Sequence, residues 1–247
     1  PEPAVACAPS PARHARAVSG DVSTLAILPG GNPKDMSMTD IRDTGTIAFI
    51  GGGNMARSLI GGLVARGVDA STIRVAEPVA TLREALAGDF GVATFEHAAE
   101  AARGASVWLL AVKPQVMRTV CAELAALAST QAPLVVSIAA GITSVQLDRW
   151  LGGGVAVVRT MPNTPSLLGQ GVTGLYARAE ASKAQRDQAE ALLRTGGPTV
   201  WIDDEAKMDA VTAVSGSGPA YVFLLAEAMQ AAAERQGLPA DAASLLV

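Results

Sequence analysis

Three successive glycines, Gly51, Gly52 and Gly53, separate a short apolar strand pattern at 46–50 from a helical pattern at 54–66. In the helical stretch Met55, Leu59 and Leu63 recur at helical spacing, and Gly67 follows where a C-terminal cap would sit. The same rhythm then repeats. Strands are predicted over 72–76, 92–95, 107–112, 134–138 and 155–158, with helices over 81–87, 96–102, 114–128 and 144–150. The stretch 107–112 is continuously apolar, as a strand covered on both faces requires. Strands that alternate with short helices predict an α/β fold with a mostly parallel, doubly wound sheet.

Composition narrows the field. Hydrophobic residues make up 49% and aromatic residues only 4%, so the core must be aliphatic. No apolar run reaches the roughly 18 residues of a spanning helix, which argues against a membrane segment. The net charge is −4 and no basic run exists, which argues against nucleic acid and anionic membranes as partners. Cys7, Cys121, His14 and His97 cannot make a disulfide framework or a zinc site, and a reducing cytoplasm is the expected compartment.

The ends read differently. Residues 1–44 hold six of the fourteen prolines and show no sustained period. They are expected to be a disordered tail, or sequence upstream of a start at Met36 or Met38. Residues 45–202 carry the strand and helix alternation. Strand patterns at 172–177 and 198–202 flank a helix at 182–193. From 203 to 247 only helical patterns appear: 205–214, a break at 215–218, and a long helix at 219–236 closed by Gly237. In that helix Val222, Leu225, Ala226, Met229 and Ala233 form one wide stripe, and the other face is largely alanine. It is therefore expected to be buried nearly all round. Residues 240–247 read as a helix interrupted in mid-pattern, so this all-helical domain is expected to be truncated, with its continuation beyond Val247.

Several motifs carry chemistry. Gly51, Gly53 and Ala56 form a G-x-G-x-x-A pattern across Asn54 and Met55. The first glycine permits the turn, the second admits a pyrophosphate to the backbone, and the small Ala56 lets helix and strand pack closely. Such a helix N-terminus holds phosphates, the mark of a Rossmann-like unit. A glycine turn without a ligand is the other reading. Glu77 ends the second strand. It is either a partner for the ribose hydroxyls of NAD, repelling the 2′-phosphate of NADP, or a solvated loop carboxylate. Arg74 and Arg83 lie close enough in sequence to reach a 2′-phosphate instead.

Ala111, Val112, Lys113 and Pro114 end the fourth strand, where ligands bind in doubly wound sheets. A backbone role beside a nicotinamide ribose is favoured over a charge role for Lys113. Ala139, Ala140 and Gly141 leave room for a ring after the fifth strand, or simply pack closely. The segment 159–165, Arg-Thr-Met-Pro-Asn-Thr-Pro, reads as a rigid turn. Ser215, Gly216, Ser217 and Gly218 offer hydroxyls and free amides at the start of the long helix. There Ser217 is expected to cap the helix, and a substrate carboxylate could also bind. No Walker A, zinc-protease, serine-hydrolase or Cys-His pattern is present.

Taken together, 49–56, 111–115, 137–142, 159–165 and 209–223 resemble, in order, the motifs of the pyrroline-5-carboxylate reductases. The likeness covers 46–247. It implies reduction of a cyclic imino acid to proline with NADPH or NADH, by a Rossmann domain followed by a helical dimerisation domain, as a homodimer or larger homo-oligomer. It places the pyrophosphate at 51–56, the nicotinamide at 111–114 and 139–141, and the substrate near Glu205 and 215–218. Three departures stand out. Glu77 replaces a small residue common beside the adenosine phosphate. Ala98 stands where Asn is frequent. The family's Ser-Pro-Gly-Gly-x-Thr segment would lie past Val247. No residue is assigned as catalytic, because a protonated imine is already electrophilic and mainly needs alignment. The rival readings are a reductase of the 3-hydroxyacid dehydrogenase type, with Lys207 as its only lysine candidate, and a dinucleotide-binding protein without catalysis.

Overall fold

The computed structural model describes residues 44–247, so the expectation for 1–44 lies outside the described residues but for Thr44. Eight strands form one sheet in the order β3-β2-β1-β4-β5-β6-β7-β8. They are β1 (Ile47–Ile50), β2 (Ile73–Ala76), β3 (Ala93–Phe95), β4 (Val107–Leu110), β5 (Leu134–Ser137), β6 (Ala156–Met161), β7 (Thr173–Ala177) and β8 (Thr199–Trp201). The first six run parallel, β7 is antiparallel to β6, and β8 is parallel to β7. The chain winds outward from β1 to β3, then crosses back to place β4 on the other side of β1. The strand order therefore reverses between β1 and β4, and doubly wound sheets open a ligand crevice at that place.

Helices cover both faces: α1 (Asn54–Ala65), α2 (Ala80–Phe90), α3 (Ala98–Ala102), α4 (Pro114–Gln131), α5 (Ser144–Trp150) and α6 (Lys183–Leu193). Alternate residues of a strand point to opposite faces, so each strand feeds two cores. Ile47 and Phe49 join Leu59, Ile60 and Leu63 of α1 and Leu192 of α6 on one side. Ala48, Ile50, Trp108 and Leu110 join Met117, Cys121 and Leu124 of α4 and Leu147 of α5 on the other. Phe49 and Trp108 are the large aromatics of an otherwise aliphatic interior, and Trp108 satisfies its indole N–H on the Ala102 carbonyl at 3.1 Å. Cys121 is a packing residue. Burial pushes its thiol up to about 11, which leaves it protonated and unreactive.

Helix ends moved where the stop signal is backbone geometry. α2 runs three residues past the expected end, to Phe90, and stops because Gly91 adopts a left-handed conformation (φ 69°). α4 likewise continues to Gln131 and ends on Ala132 in the left-handed region (φ 46°), a position no glycine advertises.

The C-terminal part departs further. After a 3₁₀ turn at Glu205–Lys207 come α7 (Met208–Val211), a π-helical turn at Thr212–Gly216, α8 (Gly218–Arg235) and α9 (Ala240–Leu246). The break expected at 215–218 is instead a wide turn that runs on into α8. The expected burial of α8 is also corrected, since none of its residues is buried. Val222, Phe223, Leu224 and Leu225 are each more than 60% exposed. An apolar periodicity demands a cover but does not say that the same chain supplies it. Here α9 packs on one part of α8 through the buried Ala243, and the rest of the stripe faces outward. No helix among the described residues is long and apolar enough to cross a membrane.

Candidate active site

The parallel strands present their carboxyl ends along one edge, and the motif residues gather there. Gly51 follows β1 with φ 107°, and its amide donates to the Ala76 carbonyl at 2.8 Å. A Cβ at this position would lie 2.7 Å from the Ala111 carbonyl oxygen, so the first glycine is demanded both by the turn and by the close approach of the end of β4. Gly53 differs. A Cβ there would meet nothing within 4 Å, and φ is −67°. This glycine keeps open a space that the protein itself does not fill. α1 starts immediately afterwards at Asn54 without a side-chain cap, while Ala56 is buried against the sheet. Gly53 and Asn54 are exposed and Met55 is half-buried. An open cradle at an uncapped helix N-terminus suits a pyrophosphate, so the residues present fit a dinucleotide.

Glu77, at the end of β2, is buried rather than solvated. Its Oε2 accepts from the Gly52 amide and its Oε1 from the Val79 amide, each at 3.0 Å. The carboxylate is thus bound to the glycine loop itself.

On the far side of the crevice, Ala111 and Val112 are half-buried, and Lys113 and Pro114 open α4 in exposed positions. After β5, Ala139 is buried, Ala140 half-buried and Gly141 exposed, with φ 73° at the glycine. That turn runs into α5, whose N-terminus is fixed by a reciprocal pair of bonds between Thr143 and Gln146.

Glu205 is the centre of a network that joins the C-terminal segment to the sheet. Its Oε1 accepts from the Ser144 amide at 2.6 Å and its Oε2 from the Ser144 hydroxyl at 2.7 Å. Arg159 of β6 lies 3.4 Å from the same Oε1 and donates to Asp209 at 3.0 Å. Arg159 is 3% exposed, and a buried guanidinium is retained only where carboxylates meet it. Sequence reasoning read Arg159 only as part of a turn and missed Ser144. The available signal was one arginine inside the apolar run at 155–158 and 161, where an unpaired charge could not stay.

The segment 215–218 sits beside β6. A Cβ on Gly216 would lie 2.5 Å from the end of Met161, and Asn163 Nδ2 lies 3.5 Å from the Ser215 hydroxyl. Asn163 also accepts from the Val172 amide at 3.0 Å, which explains the rigidity of its turn. One expectation fails here. Ser217 precedes α8 but has helical dihedrals and makes no side-chain cap bond. The Ala220 amide, which such a cap would take, donates to the Ser217 backbone carbonyl at 3.0 Å instead, and the Ser217 amide itself donates to the Thr212 carbonyl at 2.8 Å. That amide is therefore not free, as the sequence reading supposed. What the segment offers is two hydroxyls and two glycines.

Comparison with known proteins agrees with this geometry. A family described as NADP oxidoreductase, coenzyme F420-dependent, matches residues 46–141, the half that carries the glycine loop. A family described as pyrroline-5-carboxylate reductase dimerisation matches residues 205–247. The pyrroline-5-carboxylate reductase of Pseudomonas aeruginosa is 56% identical over 204 residues, which is 82% of this chain and 74% of the relative. The solved structure of the pyrroline-5-carboxylate reductase of Coxiella burnetii superposes with a TM-score of 0.76 at 42% identity, covering 83% of this chain and 76% of that one. The Plasmodium falciparum pyrroline carboxylate reductase, solved with NADP bound, gives 0.71 at 25% identity over 81% of this chain and 73% of that one. With the fold, the order of the motifs and a relative of this identity in agreement, the chain belongs to the pyrroline-5-carboxylate reductase family.

Proposed function

We infer that the chain reduces 1-pyrroline-5-carboxylate to L-proline with NADPH or NADH, the last step of proline biosynthesis. The observation that carries this is the open cradle at Gly53, set at the switch point of the sheet in a chain of this family. The bound nicotinamide supplies the hydride. The residues of the chain bind and orient. The amides of 53–56 receive the pyrophosphate. The small residues Ala139, Ala140 and Gly141, with the backbone of 111–114, leave room for the nicotinamide ring. Ser215 to Gly218 border the substrate with two hydroxyls.

Glu205 meets the substrate from its network. A carboxylate offers about four acceptor sites. Ser144 and Arg159 occupy three, so one remains for the N–H of a protonated imine. An iminium ion needs alignment and dryness more than an acid–base pair, and this site supplies those. The division near residue 203 then separates a nucleotide-binding domain, 45–202, from the start of the substrate and dimerisation domain, 203–247. A second copy of the chain covers the outward stripe of α8, making a homodimer or a larger assembly. The cytoplasm, where reduced nicotinamide is held, is the compartment that suits the reaction.

The lysine of the rival reading does not fit. Lys207 is exposed, and its hydrogen bond and ion pair with Asp203 raise its pKa, the wrong direction for a catalytic base.

The test is steady-state oxidation of NADH and of NADPH on addition of pyrroline-5-carboxylate, with the product identified. One proline per dinucleotide oxidised is expected, from a sample that sediments above monomer mass. Absence of turnover with both cofactors overturns the reading.

A further inference from the structure

We propose that Glu77 sets this enzyme to prefer NADH over NADPH. The inference rests on the assignment of the glycine loop to a dinucleotide and adds which dinucleotide fits better. The adenosine ribose of a nucleotide held at 51–56 lies beside the carboxyl end of β2. Glu77 stands there, buried, with each oxygen accepting one backbone amide, from Gly52 and from Val79. Those two bonds fix the carboxylate in position. About two of its four acceptor sites stay unused, enough for the two ribose hydroxyls of NADH. A 2′-phosphate in the same place would bring up to two more negative charges against a carboxylate that two backbone amides hold in place.

The cations that could relieve this repulsion are already engaged. Arg74 donates to the Arg103 carbonyl at 2.6 Å and to the Glu100 carbonyl at 2.7 Å, and its Cζ lies 4.6 Å from the centroid of the Phe95 ring. Arg83 donates to the Glu77 and Pro78 carbonyls at 2.7 and 2.8 Å, with Glu96 at 3.6 Å from its other nitrogen. Arg83 holds the turn around Glu77 in shape, and Arg74 is tied to the carbonyls at the end of α3. Recruiting Arg83 to a phosphate would break two bonds of the turn that carries the carboxylate, and recruiting Arg74 would break its two bonds to the end of α3. The site is thus lined by acceptors and suits a diol.

The alternative is that Glu77 only fastens the glycine loop. Glu77→Gln separates the two. The amide retains one acceptor for a backbone N–H and removes the charge. Glu77→Ser removes charge and fastening together. The readouts are kcat/KM with each cofactor and, without catalysis, displacement of a fluorescent dinucleotide by ADP-ribose and by its 2′-phosphate. The parent is expected to favour NADH, and to bind ADP-ribose more tightly than the 2′-phosphate, by about fivefold or more, the scale of like-charge repulsion in a partly solvated site. In both variants that ratio is expected to fall at least fivefold. A parent that prefers NADPH or the 2′-phosphate overturns the proposal. So does an unchanged ratio in Glu77→Gln, which would leave Glu77 a fastening alone. If a variant fails to fold, the parent's two binding constants still decide. A loss of turnover with both cofactors but an intact binding ratio would count against the assigned reaction and not against Glu77.

Discussion

Gly53→Val is expected to weaken the binding of NADH and NADPH at least a hundredfold while leaving the fold intact. The added isopropyl group would occupy the space that the open face of the loop keeps for phosphate. Hydrogen bonds to a charged group are worth about 1.5–3 kcal/mol each. Losing two of them amounts to about 3 kcal/mol or more, beyond a hundredfold in affinity. The fold should survive because a Cβ at this position has no neighbour within 4 Å and φ is −67°, a conformation open to any residue. Gly51→Ala is the contrasting variant. Its Cβ would meet the Ala111 backbone at 2.7 Å with φ at 107°, so it should damage the sheet edge itself. Circular dichroism and fluorescence titration distinguish the two cases. A folded Gly53→Val protein with parental affinity would remove the loop from the cofactor site.

The second large effect is expected at Arg159. Arg159→Met leaves Glu205 without its cationic neighbour, although Ser144 still donates to both carboxylate oxygens. Breaking a buried ion pair from one side costs about 3 kcal/mol or more. In a domain of this size that corresponds to a fall in Tm of roughly 6–12 °C. The damage should be directional. The network holds the 3₁₀ turn that carries Glu205 against β6 and α5, whereas the glycine loop hangs from β1. Hence kcat/KM for the imine is expected to drop at least tenfold, while the Kd for NADH moves less than twofold. Arg159→Lys, which keeps the single positive charge but not the fork that reaches both carboxylates, should recover part of the stability and part of the activity. Equal losses in dinucleotide and imine binding would show that Arg159 supports the sheet in general and not the substrate side.

The parts of the fold that rest on side-chain periodicity were legible in advance. The central strands are apolar on both faces because helices cover both, and the pattern at 107–112 announced it. The turn at 51–53 was legible because glycine is the residue that turns and close backbone approach both require. The exit of α4 was not, because Ala132 takes a left-handed conformation that no residue type signals. The π turn at Thr212–Gly216 was equally hidden, and with it the fate of the Ser217 amide. Two glycines and two serines in a row read as a break, whereas the backbone there pairs with carbonyls one residue further back. Glu77 and Glu205 were legible as chemistry but not as geometry. Their bonds to Gly52 and Ser144 span 25 and 61 residues, and local spacing cannot reveal contacts of that range. The exposed stripe of α8 shows the opposite limit. Its pattern demands a cover, and among the described residues α9 supplies only part of it.

The central claim is that one crevice, at the carboxyl ends of β1, β4, β5 and β6, brings a dinucleotide and a cyclic imino acid together. The most direct measurement is a crystal structure of the protein with NADH and proline bound. The pyrophosphate is expected against the amides of 53–56, the adenosine ribose hydroxyls on Glu77, the nicotinamide between the 111–114 and 139–141 turns, and the proline nitrogen within hydrogen-bond distance of Glu205. Density for the dinucleotide elsewhere, or a proline site remote from Glu205 and the 215–218 segment, would contradict the account.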